Sequence, residues 1–404
     1  MPGEPSIDEA LSKLQEHVEK SAFRGFDPYD LLRSKIPFDK FGRQITFVLS
    51  QANKRSPINF RPLLLIRKDV VPKGLAILLR AYCILYKVNP TMELREKAEY
   101  LYKKLINCAV NGFSGNCWGI NFDYVNRHGI VPKNTPSSVV TNFVHAAIYD
   151  YYKMFLVPDA LEILKGCGDF ILRDLFKRNS PEGVCFSYTP IAKDCVYNAN
   201  GHCAEILSRN YDLFGDMRLK KVAEDCVRFI VSRQKSDGSW NYGVDEEGRE
   251  KKQVDFHQGF LIDSIMTYIK YTGDDNREYL NAVDKAAAFY LHKQFFPNGR
   301  SLWRYPKVWP VDIHNQAQGI ITFCNLCSYH KAFGEFAKTI VNWTIANMQD
   351  KSGFFYYQKY RFFTNRIDYI RWGQAWMLYA LAVLRKANFH NSGLAKKHAR
   401  ETTN

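Results

Sequence analysis

The chain has 404 residues and a formal net charge of +15, with 46% hydrophobic, 24% charged and 15% aromatic residues. This balance excludes disordered and fibrous chains and supplies a large core, while the length calls for two domains or one domain built from repeats. The basic excess asks for an anionic partner; with Lys and Arg dispersed and no nucleic-acid module present, an acidic sugar or an anionic membrane surface is expected and nucleic acid is not.

The first stretch, MPGEPSIDEALSKLQEH, has no basic flank followed by an apolar core, so no signal peptide is expected, and residues 1–37 read as an N-terminal extension. A segment within Phe38–Ala52 reads as an outer helix and Val71–Tyr86 as an inner one. The apolar run Val70–Val88 is broken by Lys73 and Arg80 and makes a poor membrane span. From there the pattern recurs about every 57 residues. Helices at Arg95–Asn107, Asp159–Phe176, Met217–Gln234, Arg277–Gln294 and Lys331–Gln349 carry charge on one side and apolar residues at three- and four-residue spacing. A Gly-aromatic turn follows each, as in SGNCWGINF, EGVCFSY, DGSWNYG, NGRSLWRY and SGFFYYQ. A more apolar helix then begins near Ser137, Asn200, Asp255, Asp312 and Asp368, residue types suited to N-caps.

These alternating helices predict an all-α fold, a single (α/α)6 toroid over 38–390 followed by a basic tail at 391–404. Neither end looks like the polar cap of an open solenoid, so closure is expected. The long outer-to-inner loops then share one end of the barrel, where inner-helix N-termini direct their partial positive charge. The ten cysteines are scattered over apolar helix faces and read as reduced thiols of a cytoplasmic protein, with peripheral contact at the inner membrane as a second expectation. Cys324 and Cys327 have no second pair nearby, so no metal is expected; without a phosphate loop or dinucleotide fingerprint, no cofactor is expected either.

The strongest local signal is VDFHQG, in which Asp255 and His257 open the fourth inner helix, echoed by VDIHNQ, in which Asp312 and His314 open the fifth. Two imidazoles at one barrel mouth suit general acid and base; the plainer alternative is that each Asp caps and each His bonds a loop. Asn198, His202, Glu205 and Arg209 share one face of the third inner helix, where Glu205 becomes a candidate acid with its pKa raised by burial, or else a member of a satisfied polar network. Tyr305 completes the candidate proton-transfer set. Asp123, Arg127, Asn142 and His145 are candidate binding residues around the second inner helix, as are Asp312, Gln316, Tyr357 and Gln374 in later units. Arg366 and Arg371 suit a uronate or phosphate through paired N–H donors, and Trp240 and Tyr242 suit stacking on a sugar.

The run RFIVSRQKSDGSW, with Gln234, Asp237, Gly238 and Trp240, resembles the Q-W repeat of prenyltransferase and squalene-cyclase toroids, which implies the fold. The segments CWGINFDYVNRHGIVPKNTPSSVVTNFVHAAIYDYY, NGHCAEIL and VDFHQGFLIDSI are similar to poorly characterised toroids associated with bacterial surface-polysaccharide synthesis, and more distantly to uronyl epimerase, hydrolase and lyase toroids. That resemblance implies acid/base chemistry (epimerase, lyase or hydrolase type) on an acidic or lipid-linked sugar. An isoprenoid transferase or cyclase is the rival enzyme, and a glycan-binding or membrane-surface scaffold the rival without catalysis.

Overall fold

The computed structural model describes residues 6–126 and 129–401, and of 389–401 the backbone alone. Six helices carry apolar residues on every side and are buried almost all round: α3 (Pro72–Val88), α5 (Ser138–Phe155), α7 (Tyr197–Phe214), α9 (His257–Thr272), α11 (Ile313–Leu326) and, over its residues 375–384, α13 (Ala375–Glu401). Each packs on the next in that order and α13 packs on α3, which closes the inner ring. The outer ring is α4 (Met92–Ile106), α6 (Asp159–Asp174), α8 (Met217–Ser232), α10 (Arg277–Gln294), α12 (Lys331–Met348) and α1 (Ile7–Lys20). These bury one stripe only, as α8 does through Ala223, Cys226, Val227 and Ile230.

The sixth outer helix is thus α1, not a segment within Phe38–Ala52, and residues 7–20 belong to the ring rather than to an extension. The turn glycines show the equivalence. A Cβ on Gly238, at φ +88°, would lie 2.3 Å from Lys285 O of the following outer helix, and one on Gly353, at φ +102°, would lie 2.4 Å from Lys13 O of α1. Gln349 also donates through Nε2 to Ala10 O at 3.0 Å. The stretch at Phe38–Ala52 instead holds α2 (Arg43–Arg55), which packs on the Tyr124–Asn126 strand at the mouth.

A second repeated device ties each inner helix to the turn before it. Asn200, Gln258, Gln316 and Gln374 stand 58 residues apart, and each side-chain oxygen accepts from a turn N–H, of Phe186, Trp240, Ser301 and Phe355 respectively, at 2.8 to 3.0 Å. Each amide N–H returns a bond to a turn carbonyl. Buried turn backbone is thereby satisfied without a sheet. Short antiparallel ribbons, among them Cys195–Val196 with Gly243–Val244 and Val311–Asp312 with Gln358–Lys359, join neighbouring loops at the mouth.

Cys185 and Cys195 form a disulfide across the loop between them. This corrects the expectation of ten reduced thiols, and with it the thiol argument for a reducing compartment. The pairing follows from the strand Gly183–Phe186 approaching the start of α7, a contact that scattered cysteine spacing does not reveal. Among the described residues no helix is long and apolar enough to cross a membrane.

Candidate active site

The inner helices send their first two turns toward one axis at the mouth, and all six contribute to a single cluster there. Lys73 of α3 sets its ammonium 4.2 Å from the centroid of Phe143 on α5 and 5.5 Å from Trp376 on α13. His202 of α7 meets Phe143 and Phe260 of α9 at 5.1 and 5.4 Å between centroids. His314 of α11 packs against Phe256 at 4.4 Å, Trp376 at 4.5 Å and Trp372 at 4.8 Å. Repeat arithmetic explains the convergence: Phe256, His314 and Trp372 stand 58 apart, as do His202 and Phe260, with Trp376 two such repeats further on.

Two of the three imidazoles are oriented by carboxylates. His257 Nδ1 lies 2.5 Å from Asp255 Oδ1, and Asp255 Oδ2 accepts from Gln253 Nε2 at 2.6 Å. Burial alone would raise the Asp255 carboxyl's pKa, but the charge and hydrogen bonds of His257 outweigh it and hold the group below its usual range. An ionised partner on Nδ1 places the hydrogen there and leaves Nε2 as the basic nitrogen. His257 is the imidazole of the three that reaches solvent, with 18% of its side chain exposed.

Inside the barrel His202 Nδ1 lies 2.8 Å from Asn142 Nδ2 and 3.0 Å from Glu205 Oε1, and its Nε2 is buried without a partner. Glu205 also accepts from Ser264 Oγ at 2.7 Å, Arg209 at 2.8 Å and Asn142 Nδ2 at 3.1 Å. Burial would raise its pKa, yet His202 and Arg209 overcompensate and keep it ionised. The expectation of Glu205 as a proton donor is therefore corrected; it is the carboxylate that orients His202. Burial depresses the pKa of His202 despite Glu205.

The second Asp-x-His behaves differently. Asp312 spends its oxygens on the His314 backbone N–H, Trp372 Nε1 and Gln358 Nε2, and does not touch the His314 ring. Both His314 ring nitrogens are buried and unpartnered. Burial, reinforced by Lys73, His257 and Arg371, holds His314 neutral, and burial together with Arg371 drives Lys73 well below its usual value. The buried Lys73 amine, a bare imidazole and the free Nε2 of His202 all face one ring-lined centre. Buried polar atoms of this kind are ordinarily matched by water, an ion or a ligand.

The remaining expected residues take other places. Arg371 is engaged with Asp27 through bonds of 2.5 and 2.8 Å and is not free for an anion; Asp27, 344 residues away in the chain, carried no signal in the sequence. Arg366 is exposed and lies over Tyr356, away from the axis. Trp240 is fully buried with Nε1 donating to Ile230 O, so it joins helix end to turn and offers no platform. Gln316 and Gln374 serve as turn clamps, and Tyr357 packs on Tyr369 in a separate apolar cluster. Tyr305 sits on Phe289 of outer helix α10. His145 Nε2 donates to Asn210 Oδ1, 2.8 Å away, and braces α5 on α7. Asp123 accepts from the Lys133 N–H and braces its own loop. Tyr242 stays at the mouth, edge-on to His257 at 5.0 Å. Arg127 lies outside the described residues. Lys73, Phe143, Phe256, Phe260, Trp372 and Trp376 were missed as functional candidates; the 58-residue spacing from His202 and His314 was the signal that could have found four of them.

The fold is that of the (α/α)6 toroids, a closed ring of six helical hairpins. Its likenesses among solved structures include a cellobiose 2-epimerase from Bacillus thermoamylovorans (16% identity, 80% of this chain and 89% of that one, TM-score 0.64). They also include a GH76 α-mannanase from Bacteroides thetaiotaomicron (13% identity, 96% and 97%, TM-score 0.64) and an unsaturated glucuronyl hydrolase specific for heparin (12% identity, 94% and 95%, TM-score 0.62). No family model and no curated protein matches the chain.

Proposed function

We propose that the protein is a carbohydrate-active enzyme that moves protons at a sugar carbon beside a carbonyl, an epimerase- or isomerase-type reaction run by imidazoles. The observation that carries this reading is the meeting of His202, His257 and His314 around Lys73, with two of the rings oriented through Nδ1 by carboxylates. One imidazole Nε2 takes the proton, and the C–H electron pair moves into the adjacent carbonyl to give an enediolate. Its negative oxygen is met by the Lys73 side chain in a water-poor setting. A second imidazole that carries a proton gives it to the carbon, and the proton taken by the first is passed back to the second through solvent at the rim, so the product is an isomer of the substrate and the enzyme ends as it began.

Hydrolysis is the weaker fit, because it needs a pair of carboxyl groups free to act on a leaving oxygen and on water. At this mouth Asp27, Asp255, Asp312 and Glu205 each have both oxygens in hydrogen bonds or ion pairs. Two carboxyls do favour a hydrolytic reading: burial raises Asp263 to about 7 and Asp312 above its usual range, although Asp263 already accepts from Gln318, Thr322 and Asn325 and Asp312 from Gln358 and Trp372. The sugar-processing names of the structural likenesses and the net charge of +15 support a sugar substrate of acidic or lipid-linked kind, as in surface-polysaccharide metabolism.

Proton NMR in D2O tests the proposal with a panel of reducing aldoses, disaccharides and uronates. Solvent deuterium should replace the hydrogen at C2 as an epimer or ketose appears. Cleavage of a glycosidic bond without deuterium uptake would replace this reading by hydrolysis.

A further inference from the structure

Helix α2 is built inside out. Its buried residues are Thr46, Ser50 and Asn53, all polar. Phe41, Ile45, Val48 and Ala52, at spacings of four, three and four, form an apolar stripe on the solvent side, with Ile45 57% and Val48 63% exposed. An amphipathic helix in water turns such a stripe toward the core. The reversed arrangement is that of a helix whose outer face meets something apolar.

The stripe continues beyond the helix. Ile58, Phe60, Leu63 and Leu65 are exposed in the loop that follows, and Phe362 is 88% exposed at the tip of the Gln358–Asn365 hairpin beside Phe363. Asn365 Nδ2 donates to Ser56 O at 2.9 Å and fastens that hairpin to the end of α2. Nine of the twenty-one large exposed hydrophobic side chains among the described residues fall in these two stretches, which makes a patch rather than scatter. Its setting is basic: residues 34–68 hold seven Lys or Arg besides Arg61, which is buried against Asp30, and one carboxylate, Asp39, and residues 356–366 hold three against no carboxylate.

We propose that this face docks on a bilayer containing anionic phospholipid, with α2 lying in the headgroup region and Phe362 and Phe363 inserted beside it. Bare aliphatic and aromatic side chains ringed by Lys and Arg match hydrocarbon beneath a negative surface. The docked face is also the mouth. On its inner side α2 sets the Lys54 ammonium 4.0 Å from the Tyr29 ring and 5.3 Å from Trp372, the indole that packs on His314. The substrate class this geometry fits is a saccharide carried on a lipid, its sugar held at the level of the candidate active site. That last step rests on the proposed sugar chemistry; the docking itself does not.

Vesicle co-sedimentation separates the two. The full-length protein should pellet with phosphatidylcholine vesicles containing about 30% phosphatidylglycerol and stay in solution with phosphatidylcholine alone. Binding should weaken at ~0.5 M NaCl. Ile45→Glu/Val48→Glu should lower apparent vesicle affinity by at least about tenfold. Phe362→Ser/Phe363→Ser, on a separate element, should do the same, with circular dichroism and deuterium uptake from a soluble sugar unchanged. Failure of the unsubstituted protein to bind anionic vesicles overturns the proposal, as does wild-type binding by both folded double variants. A dimer by light scattering that the variants convert to monomer, without vesicle binding, would reassign the face to a second copy. Loss of deuterium exchange with vesicle binding intact would remove the sugar chemistry and leave the docking surface standing.

Discussion

His257 and His314 stand 57 residues apart on inner helices that repeat every 58, so two motifs that look alike are one residue out of step. One residue is about 100° of helix rotation. His314 consequently shares its repeat position with Phe256 and points at the axis, while His257 turns to the rim, where Asp255 holds it.

That placement makes His257 the imidazole that exchanges protons with solvent. His257→Ala should lower kcat by about 10²–10⁴ once a substrate is in hand. Asp255→Asn keeps the shape but no longer fixes the Nδ1 hydrogen, and should lower kcat with less change in KM. A full loss of folding in either variant, seen by circular dichroism, would assign the pair to structure.

Lys73 is the opposite case, a group whose removal should help the fold. Its buried ammonium meets rings, and no ion pair holds it among the described residues. Lys73→Met fills similar volume without a charge to desolvate. The variant should match or exceed the wild-type Tm while losing about 10²-fold or more in kcat. A Tm several degrees lower would show that Lys73 is structural.

Glu205 is read as a fixed anion. Glu205→Ala would leave Arg209 buried and unpaired and should destabilise by roughly 3–5 kcal/mol in urea unfolding, whereas Glu205→Gln should cost less. Equal, small losses from both would mean that Arg209 finds another partner.

Gln316 separates binding from clamping. Gln316→Leu strips hydrogen bonds from Ser301 N–H, Gly299 O and Thr344 Oγ1, and should cost about 2–4 kcal/mol of stability with KM unchanged. An increased KM at unaltered stability would restore the substrate-binding role expected from the sequence.

The pH dependence of stability has a definite sign. Burial and the Arg209 charge pull His145 down to about 3, although its bond to Asn210 opposes them. Below the ordinary value of 6.5 the unfolded chain therefore binds a proton that the folded one refuses, so stability is complete above that pH and is lost as pH falls toward 3. His202 and His314 shift in the same direction. Each should remove up to about 1.4 kcal/mol per pH unit once the unfolded imidazole is protonated. Chemical denaturation between pH 7 and about 5 checks this, and His145→Gln should flatten the slope.

The architecture was legible because the hairpin period and the turn glycines are local and recur; the clamps recur too, but Asn200 read as a helix cap and Gln316 and Gln374 as binding residues. The inner-helix starts followed directly, and the mouth with them. What stayed hidden depends on distance or on small offsets. Asp27 reaches Arg371 across 344 residues, and the buried Asp30–Arg61 pair beneath it holds the crossing segment in place. The Asp-x-His echo gave two equal candidates, whereas the one-residue slip makes Asp255 a partner of an imidazole and Asp312 a cap. Lys73 read as an interruption of an apolar helix, and only the packing of rings from five other helices shows what it faces.

Closure by α1 bears on how the ring is assembled. Its neighbours in the barrel wall lie at the far end of the described chain, and Ala10 and Gln349, joined by a hydrogen bond, are 339 residues apart. Five hairpins, α3–α4 to α11–α12, can gather through local contacts as the chain emerges, but the seam cannot shut until α12 and α13 exist. Until then the Ala10, Leu11, Leu14 and Val18 stripe stays uncovered, as does the flank of α13 it will occupy. Interrupted synthesis therefore yields an open arc with two sticky edges, and the last step of folding is the meeting of the chain's most distant parts.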